Sequence, residues 1–463
     1  MGERHGTIRV ALDLLRTQHE GRAGFDRRQH SRLTGLLTHA RANSRFYRRL
    51  YDQLPPDRAA LADLPPVTKQ QLMNSFDDWV SDPRITRANL EAFVASPARA
   101  GTPFLGQHFV CTSSGTTGHP GLFVHDPGAC AVYEAMSYRM DLAWLSGRQW
   151  LQMLYRRARW AVVVGTGGHF AGEGWIEFER RRQWWRPNNW RAFSLQMPLV
   201  ELVTKLNTFQ PAILTSYPSA IEVLATEQMA GRLRLRPVIV ELAGESVDAA
   251  GRARIAAAFG ELVLHDSYSA SECLAMAFDC EHRWLHVNSD WVILEPVDED
   301  YSPTPPGQPS HTVLLTNLAN RLQPIIRYDL GDTITARPDP CPCGNPLPAI
   351  RVQGRCDDVL RLKAPGGRTV SILPLAVGSV TDETPGVQRS QLIQTGPKSL
   401  TLRLDVRPGA QPERVWEQSC ADLAAYLAAQ GLPDIEIIRS PEPPQRSTTS
   451  GKFRQVIAVA PRN

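Results

Sequence analysis

The chain has 463 residues, of which 42% are hydrophobic and 21% are charged, so it is a folded protein long enough for two or more domains and not a disordered one. A net charge of +4 is too small to indicate a polyanionic partner by itself. No apolar run approaches the roughly 20 residues that a membrane-spanning helix needs, and the charged N-terminus lacks a signal-peptide core. We therefore expect a cytoplasmic protein without a membrane partner.

Helical spacing of apolar residues predicts a helix over residues 27–50, before proline pairs at 55–56 and 65–66. From about residue 106 to 272, short apolar runs alternate with helical stretches. The predicted strands are 109–111, 160–164, 212–215, 238–242 and 262–265, and the predicted helices are 219–227 and 247–259. Alternation of strands and helices favours a mostly parallel sheet flanked by helices.

The pattern changes in the last third of the chain. Residues 284–296 and 311–318 are typical of antiparallel strands, and a strand (399–406), a helix (415–429) and a short strand (435–438) follow Gly354. The predicted fold class is therefore α/β. We expect a large N-terminal domain over 1–356, with mostly parallel sheets and an antiparallel β segment, and a small α+β C-terminal domain over 357–463.

A loop of small and hydroxyl-bearing residues follows the strand at 109–111. It consists of Thr112, Ser113, Ser114, Gly115, Thr116, Thr117 and Gly118. Small residues let the backbone approach an anion closely, and hydroxyl and backbone N–H groups can cradle phosphate oxygens. An ordinary surface loop is the alternative interpretation. The loop does not match the GxxxxGK[ST] pattern, which argues against a P-loop NTPase.

Four further segments occur at 268–272 (YSASE), 327–332 (RYDLGD), 354–358 (GRCDD) and 450–452 (SGK). Each segment alone is weak evidence of function. Together, their order and spacing resemble those of the adenylate-forming superfamily of acyl-CoA synthetases, luciferases and nonribosomal adenylation domains. Within it, the chain is most similar to the phenylacetate–CoA ligase family. The resemblance covers nearly the whole chain and implies a mobile C-terminal domain.

The resemblance also implies an ATP site. The loop from Ser113 to Gly118 is expected to embrace the ATP phosphates. The other residues expected at the nucleotide are Gly244 and Glu245 at the adenine site, Tyr268 near adenine, Asp332 at the ribose hydroxyls, and Arg355 at ribose or phosphate.

Two catalytic positions follow from the same resemblance. Glu272 is expected to ligate Mg²⁺, a cation that prefers oxygen donors. Lys452 matches the late lysine that reaches the reacting carboxylate and the α-phosphate, and Asp357 matches the hinge position.

The sequence departs from the superfamily pattern at two positions. His119 follows the phosphate loop where the superfamily usually has a lysine close by, a difference shared with much of the phenylacetate–CoA ligase family. Ser269 stands where glycine is common after the tyrosine. A Cβ there can narrow the mouth of the acyl pocket, which weakens the substrate assignment.

A second group of residues suits a structural zinc ion. Cys280 with His286, and Cys341 with Cys343, form two pairs that can supply a tetrahedral Zn²⁺ site. Some phenylacetate–CoA ligase relatives have a similar pattern. Incidental buried residues are the alternative, and His282 competes with His286 for the histidine position.

Residues 175–193 interleave arginine with tryptophan. Three interpretations remain open for this segment: single-stranded nucleic-acid binding, arginine packed on aromatic rings, and a basic wall facing CoA or another acidic substrate. Because the overall charge is mild, we do not expect a nucleic-acid partner.

The sequence therefore predicts an ATP-dependent ligase that activates a small carboxylic acid as an acyl-AMP, with release of pyrophosphate. By resemblance the acid is aryl or arylacetic, the acceptor is CoA, and the cofactors are ATP, Mg²⁺ and a structural Zn²⁺. One alternative has the same adenylation with an amine or a carrier-protein thiol as acceptor. Another is an inactive relative that acts as a binding module.

Overall fold

The computed structural model describes the chain except for residues 1, 56–60, 114–120, 167, 183–187, 196, 246, 248, 261–262, 356–358, 373–376, 379, 382–383, 447–452 and 459–463. Of the predicted site residues, Ser114 to Gly118, Asp357 and Lys452 therefore lie outside the described part, and only the backbone of Arg355 is described. In the described part, no helix has both the length and the apolar character needed to cross a membrane.

The described helices lie mostly in the first 260 residues. They are α1 (Gly2–His19), α2 (Gly21–Asn43), α3 (Arg45–Leu50), α4 (Lys69–Asn74), α5 (Phe76–Trp79), α6 (Arg87–Val94), α7 (Pro127–Trp144), α8 (Gly147–Tyr155), α9 (Ala171–Arg182), α10 (Leu199–Phe209), α11 (Pro218–Met229), α12 (Ala249–Phe259) and α13 (Pro412–Ala429).

The described strands begin at residue 109 and continue almost to the C-terminus. They are β1 (Phe109–Thr112), β2 (Leu122–His125), β3 (Trp160–Val164), β4 (Trp190–Ser194), β5 (Ile213–Ser216), β6 (Ile239–Ala243), β7 (Val263–Ala270), β8 (Cys273–Asp279), β9 (Leu285–Val287), β10 (Val292–Val297), β11 (Thr312–Asn317), β12 (Ile325–Asp329), β13 (Asp332–Ala336), β14 (Ala349–Arg355), β15 (Leu360–Lys363), β16 (Thr369–Ile372), β17 (Val387–Gly396), β18 (Ser399–Val406), β19 (Glu436–Arg439) and β20 (Val456–Ile457).

The helix predicted over 27–50 is present, but it is divided into α2 and α3 at Ser44. The Ser44 backbone is extended, and its hydroxyl accepts a hydrogen bond from the N–H of Tyr47, which caps the start of α3. Leu36, Ala40 and Tyr47 are buried in the largest core of the protein. The apolar spacing in the sequence therefore identified the face of these helices that packs inward.

A nine-stranded sheet forms the centre of the protein, in the order β13-β14-β9-β8-β7-β6-β5-β3-β4. The strands from β7 to β4 in this order run parallel, and the other four are added antiparallel. Helices α10, α11 and α12 pack on one face, where Leu206, Ile221 and Ile255 join Leu214 and Val240 in one buried cluster. The predicted α/β fold class, with helices flanking a mostly parallel sheet, is confirmed.

The strand predicted at 109–111 is present, but it is not part of the central sheet. Strand β1 instead pairs antiparallel with β2 in a sheet of its own, with Val110 opposite Val124. The connection between the two strands is too short for the crossover of a dozen or more residues that parallel pairing requires. In the chain, the predicted phosphate loop therefore falls between two strands that pair antiparallel.

The predicted antiparallel segment is confirmed. Strands β10, β11 and β12 form a three-stranded antiparallel sheet, in which Leu315 lies opposite both Leu294 and Tyr328. This sheet shares the largest core with the N-terminal helices. It places the end of β12 beside the start of β13.

The C-terminal part has a sheet and a core of its own. Strands β19, β18, β17 and β20 form a four-stranded sheet, and β15 pairs with β16. Leu392, Leu402 and Leu423 are buried together in a cluster that contains only residues after 359. A separate core is what a separate folding unit requires, so the boundary near 356/357 stays our proposal for the division of the chain.

Candidate active site

A cleft of about 1790 Å³ lies at the carboxyl ends of the parallel strands, which is where open α/β sheets bind ligands. The residues after β5 and β6 and the last residues of β7 line one side. Arg389, Arg446 and Phe453 of the C-terminal part line another. The cleft therefore lies between the two parts of the chain.

Several residues that the sequence singled out line this cleft together. They are Thr112, Ser113, Gly244, Glu245, Tyr268, Glu272 and Asp332. These residues come from four separate segments, so the fold brings distant sequence motifs to one site.

The base of the hairpin loop is held by a reciprocal pair of hydrogen bonds. The backbone N–H of Ser113 donates to the carbonyl of Gly121 at 3.0 Å, and the N–H of Gly121 donates to the Ser113 hydroxyl at 2.8 Å. The Ser271 hydroxyl donates to the Thr112 carbonyl at 3.3 Å. The described base of this loop is thereby fixed beside the turn that carries Glu272.

Two tyrosine–carboxylate hydrogen bonds connect the segments 268–272 and 327–332. The Tyr268 hydroxyl donates to Asp332 Oδ2 at 2.6 Å, and the Tyr328 hydroxyl donates to Glu272 Oε1 at 2.8 Å. Each segment thus supplies one tyrosine and one carboxylate. The arrangement fixes two carboxylates at separate points of the cleft.

Glu272 is positioned through its backbone as well as its side chain. The residue is only 6% exposed, and its carbonyl accepts a hydrogen bond from the Asn317 amide at 2.9 Å. A buried carboxylate with a fixed orientation and an edge toward a cleft is a suitable donor for a hard cation such as Mg²⁺. Sequence reasoning gave no role to Tyr328 or Asn317, although Tyr328 lies inside a segment that it had singled out.

Gly244 and Glu245 follow β6. Gly244 has a φ of +74°, a conformation that glycine adopts without strain. The Glu245 carboxylate accepts hydrogen bonds from the N–H groups of Phe453 at 2.6 Å and Ser219 at 3.2 Å. The described contacts of Glu245 are thus made with the C-terminal segment and with the start of α11, a placement that no sequence motif signalled.

Arg355 ends β14, where its backbone pairs with Asp332 of β13. The strand pairing brings this position next to the carboxylate expected at the ribose. The strand register thus places the backbone of Arg355 beside Asp332, the other residue that the sequence predicts near the ribose.

The lining of the cleft also includes residues that belong to none of the sequence motifs. Aromatic and apolar side chains from α7, α9 and β3 contribute Tyr133, Met140, Trp160 and Trp175. Trp160 Nε1 donates to Thr215 Oγ1 at 2.8 Å, which donates to Glu241 at 2.7 Å. Burial raises the pKa of the Glu241 carboxyl above its usual range.

The structure brings the four predicted zinc ligands together, and none of them is among the described residues that line the cleft. The ligand atoms of Cys280, His286, Cys341 and Cys343 lie within 4.8 Å of one another. The two sulfur atoms of Cys280 and Cys341 are 3.7 Å apart, and Cys343 Sγ lies 3.2 Å from His286 Nε2. Tetrahedral zinc, with Zn–S bonds of about 2.3 Å, places neighbouring sulfurs roughly 3.8 Å apart.

The orientation of His286 also suits a metal. Its Nδ1 lies 3.1 Å from the Leu347 carbonyl, a contact that assigns the proton to Nδ1 and leaves Nε2 to face the cysteines. His282, the competing histidine, is instead 3.8 Å from Glu281 and about half exposed. The residues present therefore fit a tetrahedral site built from three cysteines and His286.

The described part of the arginine- and tryptophan-rich segment is packed against the protein. Arg180 and Arg182 pair with Glu177 and Glu179. Arg191 lies over the Phe209 ring. These contacts favour the interpretation of arginine packed on its own neighbours over a nucleic-acid surface.

No family model matches the sequence, and no curated protein matches it. Solved structures do match this chain. The chain superposes with a TM-score of 0.68 on 2-hydroxyisobutyryl-CoA ligase in the postadenylation state with 2-HIB-AMP, at 20% identity over 93% of this chain and 88% of that one. Against the same ligase in the thioesterification state, with 2-HIB-AMP and CoA, the TM-score is 0.54 at 21% identity, over 94% and 90% of the chains.

An anthranilate CoA ligase in complex with anthranoyl-AMP is a further neighbour. Its TM-score is 0.50 at 17% identity, over 74% of this chain and 65% of that chain. At these levels of identity the likeness concerns the fold.

Proposed function

We propose that this chain, which has the fold of the adenylate-forming ligases, uses ATP to activate a small carboxylic acid as an acyl-AMP. The acyl group is then transferred to CoA. The observation that carries the proposal is the pair of reciprocal tyrosine–carboxylate hydrogen bonds, which holds Glu272 and Asp332 in one cleft with the base of the hairpin loop.

The chemistry explains why such a site needs these residues. A carboxylate is a poor electrophile, and joining it to the α-phosphate of ATP crowds several anionic oxygens together. In our proposal Glu272 holds a Mg²⁺ ion that offsets this charge, and Lys452 contributes a second positive group. The loop from Ser113 to Gly118 holds the phosphates through hydroxyl and N–H groups.

The nucleoside end of ATP is assigned to the other motif residues. Asp332 accepts hydrogen bonds from the ribose hydroxyls, and Arg355 lies near ribose or phosphate. Tyr268 and Gly244 border adenine. The hydrogen bond from Tyr268 to Asp332 supports this assignment because it orients one carboxylate oxygen and leaves the geometry of the group fixed before ATP binds.

We assign the part of the cleft around Trp160 to the acid. The cleft lining includes the aromatic residues Tyr133, Trp160 and Trp175, which suits an aryl or arylacetic acid, as in the phenylacetate–CoA ligase family. Thr215 and Glu241 are hydrogen-bonded beside Trp160, so a ring that bears a hydrogen-bond donor suits this part of the cleft better than an unsubstituted one.

CoA is the proposed acceptor. The thioesterification-state neighbour is described with CoA bound, and Arg389, Arg403, Arg446 and Arg454 of this chain line the cleft. Guanidinium groups suit the phosphates of CoA. In our proposal the C-terminal part changes its position between the two half-reactions, and Asp357 is the hinge position that the resemblance implies.

ATP–pyrophosphate exchange with a panel of carboxylic acids tests the proposal. We expect exchange that needs Mg²⁺ and is strongest with substituted aryl or arylacetic acids. Adding CoA to the best acid should then yield a thioester, whereas an amine or a carrier-protein thiol should not react faster. A chain that exchanges no pyrophosphate with any acid would be a binding module, and exchange without thioester formation would contradict the choice of CoA.

A further inference from the structure

The carboxylate of Glu245 joins two backbone groups that are far apart in the sequence. Its Oε1 accepts the N–H of Phe453 at 2.6 Å, and its Oε2 accepts the N–H of Ser219 at 3.2 Å. Arg446 lies 4.0 Å away, and the Glu245 side chain is only 6% exposed. A buried, charge-assisted pair of hydrogen bonds of this kind is among the stronger contacts available to a carboxylate.

A second contact reinforces the first at the same place. The Arg389 guanidinium lies over the Phe453 ring at 5.3 Å and donates to the Ser219 carbonyl at 3.2 Å. Phe453 is thereby held both by its backbone and by its ring. Ser219 lies in the first turn of α11, where exposed N–H groups favour a neighbouring negative charge.

The N–H that Glu245 accepts belongs to the peptide bond that joins Lys452 to Phe453. Because Lys452 and Phe453 are joined by this bond, a hydrogen bond to the Phe453 N–H limits the distance between the lysine and the cleft. Breaking the hydrogen bond lets the C-terminal part move away. Glu245 itself follows β6 and lines the cleft. The contact therefore connects the nucleotide side of the site directly to the segment that carries the late lysine.

We infer that Glu245 is a positioning residue that holds the backbone N–H of Phe453 at the cleft during acyl-AMP formation and releases it before acyl transfer. This inference rests on the proposed function. It differs from the expectation that Glu245 only lines the adenine site. In this inference, holding Phe453 keeps the neighbouring residue Lys452 available to the carboxylate and the α-phosphate.

The test compares Glu245→Ala and Glu245→Gln in the full-length chain, with Glu227→Ala as the matched control. Glu227 is a carboxylate at the far end of α11 that pairs with the exposed Arg232. The first measurement is hydrogen–deuterium exchange of the Phe453 amide without ligands. We expect exchange to be roughly tenfold or more faster in Glu245→Ala, and close to wild type in the control. Glu245→Gln should retain most of the protection because it keeps an acceptor oxygen.

The second measurement separates the half-reactions. In Glu245→Ala we expect the kcat of pyrophosphate exchange to fall by up to about a hundredfold, with little change in the KM for ATP, because the lysine is misplaced while the nucleotide site persists. The rate of transfer from supplied acyl-AMP to CoA should stay within about twofold of wild type, since the contact between Glu245 and Phe453 is broken at that step. Glu245→Gln should recover most of the exchange rate.

The outcomes distinguish this inference from the proposed function. If the wild type exchanges pyrophosphate and Glu245→Ala leaves the Phe453 amide as protected as before, the positioning role is overturned alone. A raised KM for ATP at unchanged kcat would overturn it too, in favour of a nucleotide contact. If the wild type exchanges pyrophosphate with no acid, the proposed function fails and the positioning role falls with it, whatever the amide does.

Discussion

At the scale of single residues, the site depends on hydroxyl groups that orient carboxylates. Tyr328 donates to Glu272 and Tyr268 donates to Asp332 across the same two segments. Each hydrogen bond fixes one carboxylate oxygen, so a neighbouring hydroxyl group sets the orientation of both side chains. Removing one tyrosine hydroxyl should therefore impair the function of its carboxylate partner, even though that carboxylate is still present.

The first prediction concerns Glu272 and Tyr328. Glu272→Gln should lower Mg²⁺-dependent pyrophosphate exchange by about a hundredfold or more, because a charged ligand beside the triphosphate is lost. Tyr328→Phe should lower it by roughly tenfold and raise the Mg²⁺ concentration needed for half-maximal rate. Exchange rates across a magnesium titration measure both effects, with thermal unfolding as a check on the fold.

The double variant and a control sharpen this test. Since Tyr328 acts through Glu272, adding Tyr328→Phe to Glu272→Gln should cost little more than the first change alone. Tyr138→Phe removes a comparable tyrosine–carboxylate hydrogen bond, to Glu134, on the surface of α7 and should leave the rate unchanged. If Glu272→Gln exchanged pyrophosphate at the wild-type rate, Glu272 would have only a structural role.

At the scale of elements, regular periodicity predicted most strands and helices. Strand β3 and strand β18 have the predicted bounds, and α13 begins only three residues before its predicted start at 415. Period 2 and period 3.6 are local properties, so sequence alone reveals them. The antiparallel pairing of β1 with β2 was missed because pairing partners are set by connection length and tertiary packing.

The same distinction applies to the site. Glu272, Tyr268 and Asp332 were found because they belong to compact motifs. Glu245 was also singled out, but its contact with Phe453 joins residues more than 200 positions apart and leaves no local pattern. The aromatic residues of the cleft lining, Tyr133, Trp160 and Trp175, likewise come from separate elements.

The second prediction concerns the turn between β13 and β14, which carries Cys341 and Cys343. We expect about one Zn²⁺ per chain in protein purified without added zinc. Cys341→Ser should lose the metal and lower the melting temperature, because structural zinc contributes directly to folding. Adenylation at low temperature should be much less affected, since the four ligands are not among the described residues that line the cleft.

Metal analysis and calorimetry on matched variants decide the point. Cys420→Ser, at a half-buried cysteine of α13 that is not part of the cluster, is the control and should keep both zinc and stability. A folded and active wild type that contains no metal would show that the four residues serve only to pack the turn.

At the scale of the whole molecule, residues of the cleft come from two parts of the chain that have separate hydrophobic clusters in the described structure. The large core contains the residues around Trp79 and Tyr328, whereas the cluster around Leu402 is built only from the C-terminal part. The described contacts across the cleft at Glu245 and Arg389 are few and polar. Such a contact can break without exposing a core, which is what alternation between two half-reactions requires.

The last prediction is that Lys452 serves one half-reaction and not the other. In our proposal this lysine stabilises the charge that develops between the carboxylate and the α-phosphate, and removing such a donor costs on the order of a hundredfold or more in rate. Lys452→Ala should therefore cripple acyl-AMP formation, whereas transfer from supplied acyl-AMP should change little because the lysine has left by then. Single-turnover measurements of both steps in the same preparation test this. Lys363→Ala, at a lysine of β15 that donates to Thr369, is the control and should preserve both steps. Equal losses in both steps would indicate a folding defect, and unchanged adenylation would remove Lys452 from the mechanism.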